Sequence, residues 1–116
     1  MKNTTAIGLK AEALAAEYLA SIGYSIIERN YRNRFSEIDI IAQNVEYICF
    51  VEVKYRSNSG FGGGLSAISK DKQRRLRNAA QYWLSINPQP ESLQPRLDVI
   101  SVDGQAAIEH ILDAVN

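Results

Sequence analysis

A chain of 116 residues fits one domain and is long enough to bury a single modest core. Its 46% hydrophobic and 22% charged residues are ordinary for a globular protein, and no apolar run approaches the roughly 20 residues that span a bilayer. The formal net charge is zero, with 13 basic and 13 acidic side chains, which argues against a strongly basic nucleic-acid binder.

The charge is unevenly spread. From Arg29 to Arg77 the basic residues exceed the acidic by five, whereas Asn78 to Asn116 carries a net −4 and the first 28 residues −1. A basic middle with an acidic tail can place one positive face on a neutral molecule. Met1 to Thr5 lack the charged-then-apolar pattern of a secretory signal. The single cysteine, Cys49, excludes an internal disulfide and fits a reducing compartment. A cytoplasmic protein with no membrane association is expected.

Residues 5 to 22 read as an amphipathic helix. Ile7, Ala11, Leu14, Ala15, Tyr18, Leu19 and Ile22 share a stripe, while Lys10, Glu17 and Ser21 oppose it. Thr4 or Thr5 is placed to cap its start and Gly23 to end it in a left-handed conformation. Tyr24 to Tyr31 reads as a strand, with Arg32 and Asn33 as a turn. Glu37 to Gln43 and Tyr47 to Tyr55 follow as strands rich in β-branched and aromatic residues. The short link centred on Asn44 to Glu46 predicts that these two pair as an antiparallel hairpin.

Ser57 to Gly64 is loop-like, with Gly60, Gly62, Gly63 and Gly64 around Phe61. It lacks the Gly-Lys-Ser/Thr ending of a phosphate-binding loop, so a flap beside a site is the better reading. A second helix is predicted from about Ser69 to Ile86, with Leu76, Ala79, Ala80 and Trp83 as its buried stripe and Pro88 stopping it. Gln89 to Pro95 reads as a surface loop, Arg96 to Val102 as a fourth strand, and Ala106 to Ile111 as a short fifth. The order helix, three strands, helix, strand describes one mixed α/β layer structure over residues 1–116, without repeats or linkers.

The chemistry concentrates on the predicted hairpin. Side chains two apart on a strand share a face, so Glu37, Asp39 and Ile41 align, as do Phe50, Glu52 and Lys54. A hairpin centred between Val45 and Glu46 sets Asp39 across from Glu52, about 5 Å apart between Cβ atoms. Cys49, Val51 and Val53 form an apolar opposite face. Charges within such strands are costly unless paired or bound to a metal. Facing carboxylates repel unless a cation sits between them, and a hard divalent ion with oxygen ligands suits that geometry. Lys54 is placed to position or help deprotonate an attacking water and to stabilise charge on a phosphate. The structural alternative is an ion pair between Lys54 and a carboxylate on a solvated sheet face.

Glu37-Ile38-Asp39-Ile40-Ile41-Ala42 and Phe50-Val51-Glu52-Val53-Lys54-Tyr55-Arg56 resemble the core motifs of the YraN-type family. These small proteins are assigned to the PD-(D/E)xK nuclease superfamily and are similar to archaeal Holliday-junction resolvases. The match takes in Gly8, Glu12, Ala15 and Leu19, then Gly23-Tyr24 and Arg29-Asn30-Tyr31. It continues through Lys72, Arg75-Leu76 and Ala80 to Arg96-Leu97-Asp98-Val99-Ile100, covering nearly the whole chain in order. The resemblance implies a restriction-endonuclease-like mixed α/β sheet. It implies Asp39 and Glu52 as ligands of magnesium or manganese, the Val53 carbonyl as a third, and Lys54 as the catalytic lysine. Glu12 maps onto a first-helix acid that approaches the metal in related resolvases, and it sits at the edge of the apolar stripe. Ala11 and Ser36 stand where the family usually has glycine, and Tyr55 where threonine is common. None of these removes a ligand, although Ser36 bears on the turn into the site strand.

Lys70, Lys72, Arg74, Arg75 and Arg77 crowd the first turns of the second helix. With Arg56, and with Arg32 as a similar candidate, they are placed to contact phosphates, as a phosphodiester substrate requires. Lys72 shares a stripe with Leu76 and leans toward the site face, whereas Arg74 and Arg77 point away. His110 has no Cys or Asp cluster in sequence and reads as incidental. Cys49 reads as a packed strand residue, and Trp83 and Tyr82 as helix core and rim. The leading expectation is a metal-dependent DNA endonuclease-like protein, with branched DNA and a symmetric homodimer suggested by analogy with resolvases. The alternatives are a non-catalytic nucleic-acid-binding module that kept the fold, and an adaptor whose carboxylates only form ion pairs.

Overall fold

The computed structural model describes residues 6–56 and 68–114. Helix α1 spans Ala6–Ser21, followed by strands β1 (Ser25–Arg32), β2 (Glu37–Gln43) and β3 (Tyr47–Arg56). Helix α2 (Lys70–Ile86) then precedes β4 (Gln94–Asp103) and β5 (Ile108–Ile111). All five strands join one sheet in the order β1-β2-β3-β4-β5. The β3–β4 pair is parallel and the other three are antiparallel. A parallel pair needs a long crossover, and α2 supplies it. This is the mixed α/β sheet expected, including its short fifth strand.

Two separate cores, one on each face of the sheet, follow from strand alternation. On one face, Ala11, Ala15 and Leu19 of α1 pack on Ile40, Ala42, Cys49, Val51, Val53, Ile100 and Val102. On the other, Leu76, Ala79, Ala80 and Trp83 of α2 pack on Ile38, Ile41, Ile48 and Phe50. The Phe50 and Trp83 rings meet edge to face at 5.6 Å. Cys49 is fully buried as expected, and burial pushes its thiol up to about 11, so it is an inert packing residue.

The helix ends follow from local chemistry. Gly23 has φ +102°; the Tyr24 N–H donates to the Leu19 carbonyl and the Gly23 N–H to that of Ala20, a Schellman ending. Ser69 caps α2, its hydroxyl accepting from the Lys72 N–H at 3.0 Å. The proposed Thr4 and Thr5 caps and the Ser57–Gly64 loop lie outside the described residues. No described helix is long and apolar enough to cross a membrane.

Three expectations are adjusted. Ile7 and Ile22 are 55% and 48% exposed, because the sheet contacts only the central turns of α1. β4 begins at Gln94, since Gln94 and Pro95 already pair with Tyr47 and Ile48. β5 begins at Ile108, because Ala106 has φ +65° in a turn held by Asp103, whose Oδ1 accepts from the Gln105 and Ala107 N–H groups.

Gly23→Ala places a Cβ on a left-handed residue, which costs about 1–2 kcal/mol. Urea unfolding followed by Trp83 fluorescence should show a loss of that size with an unchanged m-value.

Candidate functional site

β3 is the central strand of the sheet, and its odd residues face α1. Phe50 faces α2, so alternation carries Glu52 and Lys54 onto that same face beyond the helix-covered core. Glu52 is 5% exposed and Lys54 half-buried. Their neighbours across the parallel ladder are Val99 and Ser101.

The predicted hairpin register holds from Gln43↔Ile48 to Ile40↔Val51 and then ends. Asp39 and Glu52 fall one step beyond the last pair, where β2 and β3 part. β2 continues beside β1 as far as Arg32↔Glu37, and β3 continues beside β4 as far as Arg56↔Asp103. Asp39 is 1% exposed, and its Oδ2 accepts a 2.7 Å hydrogen bond from the Val53 N–H. A carboxylate therefore takes the amide that a continued ladder would give to a main-chain carbonyl. The N–H and C=O of one strand residue point to the same side, so the Val53 carbonyl also faces the gap left by β2.

The parting of the strands also breaks the alternation expected for β2. Ile38 and Ile41, three apart, both pack under α2, while Ile40 and Ala42 face α1. Asp39 lies within the break, and its carboxylate bridges to the Val53 N–H of β3.

Glu12 is 2% exposed on the inner side of α1 beside Ala11 and Ala15. Among the described residues, no three His, Cys, Asp or Glu side chains gather as a metal-holding group. A set of Asp39, Glu52 and the Val53 carbonyl offers only oxygen donors, the kind magnesium takes when water and substrate complete its shell.

The basic residues divide. Lys72 is half-buried, and its Nζ lies 3.5 Å from the Ser36 hydroxyl, in the turn that leads into β2. Arg74 and Arg75 both pair with Asp71, Arg75 at 3.1 Å. Arg56 reaches Glu109 on β5 at 3.6 Å. Lys70 is exposed at the start of α2 and Arg77 is half-buried. Lys54 takes part in none of the ion pairs resolved between described residues.

On the opposite face lies a polar network that sequence patterning did not reveal. Asp98, fully buried, accepts from Arg96 Nε at 3.0 Å and Nη2 at 2.9 Å, and from the Asp113 N–H at 2.9 Å. His110 Nε2 lies 2.8 Å from Asp98 Oδ2, and its Nδ1 lies 3.0 Å from the Tyr18 hydroxyl. Arg96 also bonds the Tyr24 hydroxyl and covers the Tyr47 ring at 4.3 Å. Burial alone would raise the Asp98 carboxyl. The hydrogen bonds from His110, Arg96 and the Asp113 amide outweigh it and hold the carboxyl below its ordinary value. His110 thus ties β5 to β4 and α1. No spacing signal marked it, because it stands 12 residues from Asp98 and 92 from Tyr18.

The sequence matches the family described as Uncharacterised protein family UPF0102 over residues 11–102, and the chain belongs to that family. It is 50% identical to a UPF0102 protein of Lachnoclostridium phytofermentans, covering 80% of this chain and 79% of that one. It is 44% identical to one of Chlorobium chlorochromatii (97% and 92% covered) and 40% identical to one of Rhodococcus opacus (98% and 99% covered). The matched span includes Glu12, Asp39, Glu52, Lys54, Arg96 and Asp98 and ends before His110.

Asp98→Asn leaves Arg96 buried without its counter-charge and should cost about 3 kcal/mol or more in urea unfolding at neutral pH. A depressed carboxyl stabilises the fold above its unfolded value of about 3.9, and the benefit fades as pH falls through the folded value. The gap between wild type and variant should therefore narrow below about pH 4, as read from paired unfolding curves.

Proposed function

We propose that this protein is a divalent-metal-dependent DNA endonuclease, hydrolysing phosphodiesters at the point where β2 and β3 part. The observation that carries the reading is the Asp39 carboxylate inserted between the strands onto the Val53 N–H, with Glu52 and Lys54 on the adjoining strand. A carboxylate buried at a broken ladder weakens a hairpin that main-chain bonds would close more simply, and a catalytic site accounts for that cost.

When bound by Asp39, Glu52 and the Val53 carbonyl, magnesium or manganese would supply a Lewis acid for the phosphoryl oxygen and lower the pKa of the attacking water. The Val53 N–H donates to one Asp39 oxygen and so fixes the orientation of the carboxylate. Lys54, on the face shared with Glu52, orients the attacking water and stabilises the charge that develops on the phosphate. Basic residues of α2 hold the strand by its backbone. Branched DNA and a homodimer with two such sites belong to the same proposal, by analogy with resolvases.

Glu52→Gln keeps the side-chain volume and removes the charge. With manganese and plasmid or junction DNA, it should lower cleavage by at least about 100-fold while the unfolding midpoint stays near that of wild type. Equal background from both proteins in either metal ends the enzyme reading. The second reading is a nucleic-acid-binding module without turnover. That reading predicts salt-sensitive DNA retention with no cleavage.

A further inference from the structure

We infer that a second site, in the cleft between the β1–β2 turn and α2, holds an unpaired nucleic-acid strand beside the carboxylates. The inference rests on the nuclease reading and adds to it a substrate path and a preference for single-stranded structure.

The cleft has a volume of about 330 Å³ and is lined by Arg32, Arg34, Lys72 and Arg75, with Glu37 the one acidic residue in its wall. Arg75 is paired with Asp71. Among the described residues, no carboxylate lies within ion-pair distance of Arg32, Arg34 or Lys72. Converging cations without counter-charges repel one another, and a bound anion would relieve them.

The cleft is built rather than incidental, because one side chain pins the turn onto the helix. Asn33 Nδ2 donates to the Ala79 carbonyl at 3.1 Å and to the Tyr31 hydroxyl at 3.0 Å. Its Oδ1 accepts from the Phe35 N–H at 2.9 Å. Both ends of one amide are thereby used to set Arg32, Arg34 and Phe35 against α2.

Phe35 is the wall between this cleft and a groove lined by Asn78, Gln81, Tyr82 and Ser85. Arg75, Asn78, Tyr82 and Ser85 are spaced three and four apart, which places them on one stripe of α2. Phe35 and Tyr82 lie 6.1 Å apart at 54°, with Arg34 over the Phe35 ring at 4.9 Å. Tyr82 is 40% exposed. The track therefore offers cations at one end and amides with aromatic rings at the other. Phosphates fit the first and unstacked bases the second, which is how single strands are held. A duplex hides its base faces and would use only the cationic end.

The position suits the reaction. Glu37 in the cleft wall is two residues before Asp39, about 7 Å along the strand. A nucleic-acid strand held in the cleft would therefore lie within about two β2 residues of Asp39.

The test is fluorescence anisotropy in EDTA, using labelled single-stranded and duplex DNA of the same sequence across about 50 to 200 mM salt. Arg32→Glu combined with Arg34→Glu changes only exposed residues, and circular dichroism checks the fold. The pair should weaken single-strand binding at least 10-fold and flatten the slope of log K against log salt by about 1.4. Tyr82→Ala should weaken single-strand binding about 5- to 100-fold without moving the slope, and should spare the duplex. Lys10→Glu, on exposed α1, should change neither. Strong wild-type binding that the arginine reversals leave intact overturns the cleft while the nuclease reading stands. An equal effect of Lys10→Glu, or equal losses for duplex and single strand in Tyr82→Ala, also overturns it. If wild type retains no nucleic acid at all, the functional reading itself fails.

Discussion

The Asp39–Val53 bridge is the constraint from which the geometry of the candidate site follows. A main-chain ladder carried past Ile40 and Val51 would align β2 and β3 along their whole length. It would also bury Asp39 and Glu52 face to face, a repulsive arrangement in a low-dielectric core. With the carboxylate in place of the carbonyl, the strands separate three pairs before the Glu37 end of β2. β2 keeps β1 as its partner and β3 keeps β4, so neither strand loses its full set of backbone bonds. The gap between them receives the Asp39 carboxylate and, by strand geometry, the Val53 carbonyl.

Separating two strands in the middle of a sheet is tolerable only if the rest of the sheet is held firmly. Two independent cores, under α1 and α2, grip the strands on both faces. The second fixture is the buried Arg96–Asp98–His110 network, which reaches Tyr18 and Tyr24 around α1 and the Asp113 amide after β5. Each Asp98 oxygen is engaged by more than one donor, as a buried charge requires. The resemblance that singled out Arg96-Leu97-Asp98-Val99-Ile100 thus falls on two residues that brace the sheet. Among the described residues, this network lies on the α1 face, while Glu52 and Lys54 lie on the α2 face.

Most of the architecture could be read from sequence because it depends on local periodicity. The helix after Ser69, the Gly23 ending and the β2–β3 register follow from patterns of two, three or four residues. What could not be read depends on contacts distant in the chain. Ile7 and Ile22 satisfied a helical stripe but lie beyond the reach of the sheet. Hairpin arithmetic predicted the pairs as far as Ile40↔Val51 and then overran, because it had no means of registering a side chain that takes a main-chain amide. His110 read as incidental because its partners come from other elements. Lys72 meets the Ser36 hydroxyl in the turn before β2, a contact 36 residues distant in the chain that helical periodicity does not specify.

The neutral total charge conceals a separation that the fold puts to use. Three of the five acidic residues after Asn78 are engaged within the structure: Asp98 by Arg96, Asp103 in a turn and Glu109 by Arg56. On α2, Asp71 holds Arg74 and Arg75 at the helix start, setting two guanidinium groups in place on an exposed surface. Arg32, Arg34 and Lys72 are left around one cleft, two residues along β2 from Asp39. Basic side chains are thereby gathered near the start of β2 in a chain of zero net charge. Under the proposed function, contact at that cleft rather than bulk charge would decide where a polyanion engages the chain.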